Sequence, residues 1–228
     1  DNNVPIPENI LKDFENEELN MKTSIILADN KNIIAILSVS DVIKENSKKA
    51  IDQLHKMNIK TTMISGDNKN TSSIVAKQVG ISNVVSEVLP QEKLDYVKKL
   101  QSEGEIVAFI GDGINDAPSL TKSNVGIAIG TGTDVAIESG DIILINGDLL
   151  NAVASIQISR KTMSRVRLNL FWAFAYNVVL IPIAAGALIP WNILFRPEYS
   201  ALAMALSSVT VITLSLLLRS YVPEIFRE

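Results

Sequence analysis

Two apolar patterns succeed one another along this 228-residue chain. Up to residue 167, short apolar runs alternate with stretches whose apolar positions recur every three or four residues. The runs at 23–28, 33–39, 61–64, 84–85, 106–110, 125–129 and 142–145 predict strands. Residues 47–57 set Ala50, Ile51, Leu54 and Met57 on one helical face, and 71–79 predict a helix that Gly80 stops. Residues 91–101 predict a helix that starts after Pro90 and aligns Leu94, Val97 and Leu100; 134–139 predict a shorter one. Strands alternating with helices predict an α/β fold built on a doubly wound parallel sheet. Residues 1–20 are polar and acidic and read as a linker or the tail of a preceding domain, so this soluble domain is expected over 21–150.

The second pattern is continuous. No charged side chain occurs between Arg167 and Arg196, and none between Glu198 and Arg219. The segments 168–189 and 199–218 are each long enough, at about 20 residues, to cross a hydrocarbon core of about 30 Å. They predict a two-helix transmembrane hairpin over 168–228, joined to the soluble domain by a helix at 151–167. A buried helical hairpin in a larger soluble protein is the competing reading; the length and adjacency of the two runs favour the bilayer. Arg160, Lys161, Arg165 and Arg167 precede the first span, and Arg219 and Arg227 follow the second. The bias of basic residues places both ends and the soluble domain in the cytoplasm of an integral membrane protein, with the plasma membrane as the expected location.

Composition narrows the classes further. A net charge of −4 argues against a nucleic-acid binder. The chain has no cysteine, hence no disulfide framework and no thiolate site of its own. It opens on Asp1 without a visible signal peptide, and we expect it to be a fragment of a longer polypeptide.

Candidate chemistry gathers at the ends of predicted strands. Gly111-Asp112-Gly113-Ile114-Asn115-Asp116-Ala117-Pro118 follows the apolar run 106–110. Two carboxylates among glycines after a buried strand make poor core and good hard-oxygen chemistry for Mg²⁺ and phosphate. Ser65-Gly66-Asp67-Asn68 ends another strand; alone, it reads equally well as a turn that caps the next helix. Lys93 falls in the first turn of a helix, where a cation is disfavoured unless it faces an anion; alone, it reads as a surface lysine. His55, the single histidine, reads as solvated.

Together, Ser65 to Asn68, Pro90 with Lys93, Gly111 to Pro118 and Gly126 to Gly130 resemble the phosphorylation domain of P-type ATPases, a haloacid-dehalogenase-like fold. Asp41-Val42-Ile43-Lys44 is similar to that family's Asp-Pro hinge, with Val42 in place of proline. The resemblance implies ATP as substrate and Mg²⁺ as cofactor. Asp112 would bind the Mg²⁺, and Asn115 and Asp116 would orient that site and the phosphoryl oxygens. Lys93 would neutralise the transferred phosphoryl group, and Ser65, with Gly66 and Asp67, would hydrogen-bond it. Residues 1–20 would then be a linker or the tail of the nucleotide-binding domain. The family's nucleophile lies in an Asp-Lys-Thr-Gly-Thr motif, and this sequence contains no Asp-Lys pair. The isolated chain is therefore expected to be unable to form the aspartyl-phosphate.

The apolar spans carry their own polar residues. Asn177 lies among apolar neighbours and needs a helix partner or an ion. Met204 and Ser208, four apart, share a helix face, and a thioether suits Cu⁺; helix packing through small and polar residues is the alternative. Trp172 and Trp191 suit interfacial anchoring, and Pro182, one turn beyond Asn177, should kink the helix there by removing a backbone donor. Tyr176-Asn177 with Met204 and Ser208 resembles the copper-transporting branch of heavy-metal P-type ATPases, which implies these four as ligands of transported Cu⁺, or Ag⁺. The implied partners are the lipid bilayer, Cu⁺, the remaining domains of the pump and a copper chaperone. The spans lack the Asp and Lys of zinc- and cadmium-type pumps. The alternatives are a pump for another metal ion, a membrane-anchored Mg²⁺-dependent phosphatase and a non-catalytic membrane subunit.

Overall fold

The computed structural model describes residues 6–19, 23–29, 32–39, 42–111, 115–130, 138–191 and 196–227. The chain divides into two compact units, residues 1–153 and 154–228.

The first unit opens with helix α1 (Glu8–Leu19) and strands β1 (Thr23–Ala28) and β2 (Ile33–Val39). The expected linker is thus largely helical. Pro5 and Pro7 precede the helix, where a missing N–H is harmless, and the Leu11 N–H donates to the Pro7 carbonyl at 3.0 Å. β1 and β2 pair antiparallel, with Ile25 opposite Leu37. The four residues between them are too few for the crossover that a parallel pair needs.

Parallel α/β structure follows. Helix α2 (Ser47–Lys56), strand β3 (Thr62–Ile64), helix α3 (Lys69–Val79), strand β4 (Asn83–Val85) and helix α4 (Pro90–Ser102) come in turn. Next are strand β5 (Ala108–Gly111), helix α5 (Ala117–Lys122), strand β6 (Val125–Ile129) and strand β7 (Ile142–Leu144). β3 pairs with β4, and β5–β6–β7 form a second sheet, all parallel. The predicted α/β class is present, with its parallel strands in two groups. The six-residue α5 was not expected, being too short to display a helical period. The helix expected over 134–139 falls mostly outside the described residues.

Parallel strands covered on both faces read as continuous apolar runs. Consistent with this, Gly126, Ile127 and Ala128 of β6 are all buried. Val97 of α4, Phe109 of β5, Leu120 of α5 and Ala128 form one cluster, against which Ile64 of β3 packs. Ile127, Leu144 and Ala152 form another on the opposite face. Gly126 permits this layering: a Cβ there would meet the Leu120 carbonyl oxygen at 2.7 Å. On α2, Ala50, Ile51 and Leu54 are buried, as their spacing predicts. The His55 ring is exposed and hydrogen-bonds the Thr61 hydroxyl at 2.8 Å. Before β3 and β5, Lys60 pairs with Glu105 at 2.7 Å, and this hydrogen bond, then the carboxylate charge, raises the Lys60 pKa above its ordinary value.

Helix α6 (Leu149–Pro182) starts in the first unit and continues through the second. Its head is tied to the segment before α2. Lys44 Nζ donates to the Gly147 carbonyl at 2.9 Å, and Asn46 Nδ2 donates to Asp148 Oδ2 at 2.7 Å. The other oxygen, Asp148 Oδ1, accepts from the Leu150 N–H at 2.9 Å and caps the helix.

In the second unit, α6 gives way at Pro182 to a wider π-type turn, Ile183–Ala187. The kink expected at Pro182 falls further on: Pro182 keeps helical dihedrals, and the backbone leaves the helix at Gly186, with φ 99°. Helix α7 (Pro197–Leu216) returns. Both helices contain a stretch long and apolar enough to span a bilayer, and large apolar side chains such as Phe171, Phe174, Val178 and Ile212 are exposed around them. Asn169 Nδ2 donates to Ser215 Oγ at 2.8 Å, and the Tyr176 and Thr210 hydroxyls lie 3.5 Å apart.

Candidate functional site

The site is built where parallel strands end. At the end of β3 the Ser65 N–H donates to the Val85 carbonyl at 2.9 Å, extending the pairing with β4 by one residue. The chain then turns so that Ser65 Oγ donates to Asp67 Oδ2 at 2.7 Å and accepts from the Asp67 N–H at 3.1 Å. Asp67 therefore orients the Ser65 hydroxyl. Asn68 Oδ1 accepts from the Thr71 N–H at 2.8 Å and caps α3. The turn reading and the functional reading of this tetrapeptide are thus compatible: Asn68 caps, and Ser65 stays half-buried beside the exposed Gly66 and Asp67.

The Ser65 carbonyl accepts from the Val88 N–H at 3.2 Å, which fixes the approach to α4. Pro90 starts that helix, and Glu92 Oε2 accepts from the Leu89 N–H at 2.7 Å. Lys93 follows in the first turn. Its Nζ donates to Asp116 Oδ1 at 2.8 Å, with side chains only 18% and 11% exposed. This carboxylate answers the question raised by a cation at a helix N-terminus. A mostly dry ammonium and carboxylate at this distance hold each other in place and present a polar surface beside the end of β5.

Gly111 makes the approach possible. A Cβ on it would lie 2.5 Å from Asp116 Oδ2 and 2.8 Å from the Asp116 Cβ. Asp116 is buried, whereas Asn115 beside it is exposed. Asp112 lies outside the described residues. Those that are described suit Mg²⁺: carboxylate, hydroxyl and amide oxygens are hard donors, and Mg²⁺ is commonly held by one or two carboxylates plus waters and substrate phosphate.

The residues assigned to the transported ion are arranged differently. Asn177 Nδ2 donates to the Ala173 carbonyl of its own helix at 2.8 Å, and Ser208 Oγ to the Met204 carbonyl at 3.3 Å. Such bonds to the preceding turn satisfy polar groups that lack another partner. Met204 is 68% exposed. Among the described residues no hydrogen bond joins Tyr176 or Asn177 to Met204 or Ser208. Between the helices, Asn169 bonds Ser215 and Tyr176 meets Thr210; Asn169, Thr210 and Ser215 were not among the expected site residues. A polar residue in an uncharged span was the signal that marks each of them.

Residues 8–124 match the haloacid dehalogenase-like hydrolases. A probable copper-exporting P-type ATPase of Archaeoglobus fulgidus is 50% identical over 215 residues, 94% of this chain and 27% of that protein. A copper-exporting P-type ATPase of Staphylococcus aureus is 47% identical over 220 residues, 96% of this chain and again 27% of the relative. The chain thus spans about a quarter of the length of these relatives. Among solved structures, a zinc-transporting PIB-type ATPase in an E2.Pi state superposes with a TM-score of 0.77 at 27% identity, over 94% of this chain and 34% of that one.

Proposed function

The chain belongs to the haloacid dehalogenase-like hydrolases, and from that premise we propose that it forms the phosphoryl-transfer domain and a transmembrane hairpin of a Cu⁺-translocating P-type ATPase. The observation that carries this reading is the Lys93–Asp116 pair, fitted against Gly111 at the end of a parallel strand. Phosphoryl transfer asks for positioning and charge neutralisation more than for covalent chemistry. Lys93 is held where its ammonium can meet phosphoryl oxygens; the Ser65 hydroxyl, which here donates to Asp67, would turn from that carboxylate to donate to the same group. Asp112 and Asp116 would hold Mg²⁺, with Asn115 beside them; the ion would supply charge neutralisation to the phosphate.

The nucleophile would come from a part of the pump outside this chain. Its aspartate accepts the γ-phosphoryl group of ATP, and water then hydrolyses the aspartyl-phosphate. Two groups of parallel strands, β3–β4 and β5–β6–β7, support this reading. Ile64 of β3 packs against the cluster that contains Phe109 of β5 although the two strands do not pair, which suits an added strand between them. The isolated chain is accordingly inactive.

Cu⁺ is the proposed cargo because the relatives at 47–50% identity are described as copper exporters and the uncharged spans offer a thioether and neutral oxygens. Ag⁺, chemically alike, would follow the same path. Tyr176, Asn177 and Ser208 would rotate from their present hydrogen bonds, and Met204 from its exposed position, to meet the ion, completed by ligands from other helices. The soluble domain and both ends would face the cytoplasm across the plasma membrane, where a copper chaperone would deliver the ion.

A second reading, a pump for a divalent metal, draws on the zinc-transporting neighbour. In the intact pump, Cu⁺ or Ag⁺ should stimulate ATP hydrolysis and Zn²⁺ should not. Met204→Leu keeps size and removes sulfur; it should abolish that stimulation and lower the Cu⁺ bound. Stimulation by Zn²⁺ alone would decide for the divalent pump.

A further inference from the structure

The second unit holds cations that neither phosphoryl transfer nor ion passage uses. Arg160, Lys161, Arg165 and Arg167 lie within eight residues of α6, and Arg219 and Arg227 follow α7. The bonds from Asn169 to Ser215 and from Tyr176 to Thr210 set the two helices antiparallel, so the residues before Asn169 lie beside those after Ser215. The ring of Tyr221 agrees with that register. Lys161 Nζ stands 5.6 Å from its centroid, and the Arg227 guanidinium carbon stands 5.4 Å away.

The tail that brings Arg227 there is anchored. Ile225 is buried, its N–H donates to Gln157 Oε1 at 3.3 Å, and Arg227 Nε donates to the Val222 carbonyl at 3.0 Å. Two cations on one ring repel each other, and stacking orients them without cancelling either charge. Among the described residues neither has a carboxylate at ion-pair distance, and the tail's Glu224 is exposed. At 1.5 Å per residue, Lys161 lies about 10 Å before Leu168, where the uncharged stretch begins. That is headgroup depth for long side chains that reach along an apolar surface.

We infer that Lys161 and Arg227, stacked on Tyr221 and flanked by Arg165 and Arg219, bind the phosphate of an anionic phospholipid. The inference rests on the reading of α6 and α7 as membrane spans.

The 228-residue chain in phosphatidylcholine vesicles, probed by electron spin resonance with spin-labelled phosphatidylglycerol or phosphatidylcholine, tests it. The immobilised fraction should show roughly five-fold preference for the anionic lipid at physiological ionic strength. Lys161→Gln/Arg227→Gln should lose most of that preference. Arg196→Gln, before α7 at the other end of the hairpin, should keep it. Equal selection of both lipids by the unaltered chain, or an equal loss in Arg196→Gln, would overturn the site. Competition by millimolar inorganic phosphate would make it a soluble-anion site and overturn the lipid assignment. Release of the chain by alkaline carbonate would overturn the membrane reading itself, whereas retention without selectivity would sink the lipid site alone.

Discussion

Asp116 concentrates the residue-scale chemistry. One oxygen takes the Lys93 ammonium at 2.8 Å, and the other lies where a Cβ on Gly111 would stand. Asp116→Ala leaves Lys93 mostly buried without its partner and should destabilise the chain by about 3 kcal/mol in urea unfolding. Lys93→Met/Asp116→Leu removes both charges and should recover most of that loss. Gly111→Ala pushes into Asp116 and should cost about 1–3 kcal/mol in the same assay. Lys93 and Asp116 were each legible in the sequence from their motifs. Their pairing was not, because a side-chain contact across 23 residues leaves no trace in local pattern. The grip of Asp67 on Ser65 is likewise a matter of rotamer, invisible to spacing.

At the scale of elements, the head of α6 is held by side-chain bonds to a distant segment of the first unit. Asp148 caps the helix with one oxygen and receives Asn46 with the other. Asp148→Ala should cost about 1–2 kcal/mol, and Asn46→Ala less, with the double variant close to Asp148→Ala alone, all read as unfolding midpoints. This clamp links residues 102 apart in sequence and could not be read beforehand. Most strands and long helices could, because apolar periodicity follows burial. The exceptions have physical reasons. β1 and β2 obey turn length and pair antiparallel, α5 is too short to show a period, and α1 formed from charged helix formers behind two prolines. In the spans, composition identified the helices but not their contacts: Asn169 meets Ser215 because their register allows it.

For the whole molecule, one continuous element, α6, runs from the α/β unit into the pair of apolar helices. The parallel strands fall into two groups, β3–β4 and β5–β6–β7, and the chain matches about a quarter of the length of its relatives. The proposed activity therefore belongs to a longer pump of which this chain would form a part. The isolated chain, incubated with radiolabelled ATP and Mg²⁺, should incorporate no acid-stable phosphate. The most direct test is the amount of phosphoenzyme formed from ATP by the intact pump, with Cu⁺ bound, in the Lys93→Met/Asp116→Leu form. That variant is expected to fold and to bind Cu⁺ as the unaltered pump does, while its phosphoenzyme falls at least about 100-fold. Phosphoenzyme at the unaltered level would contradict the assignment of this site to phosphoryl transfer.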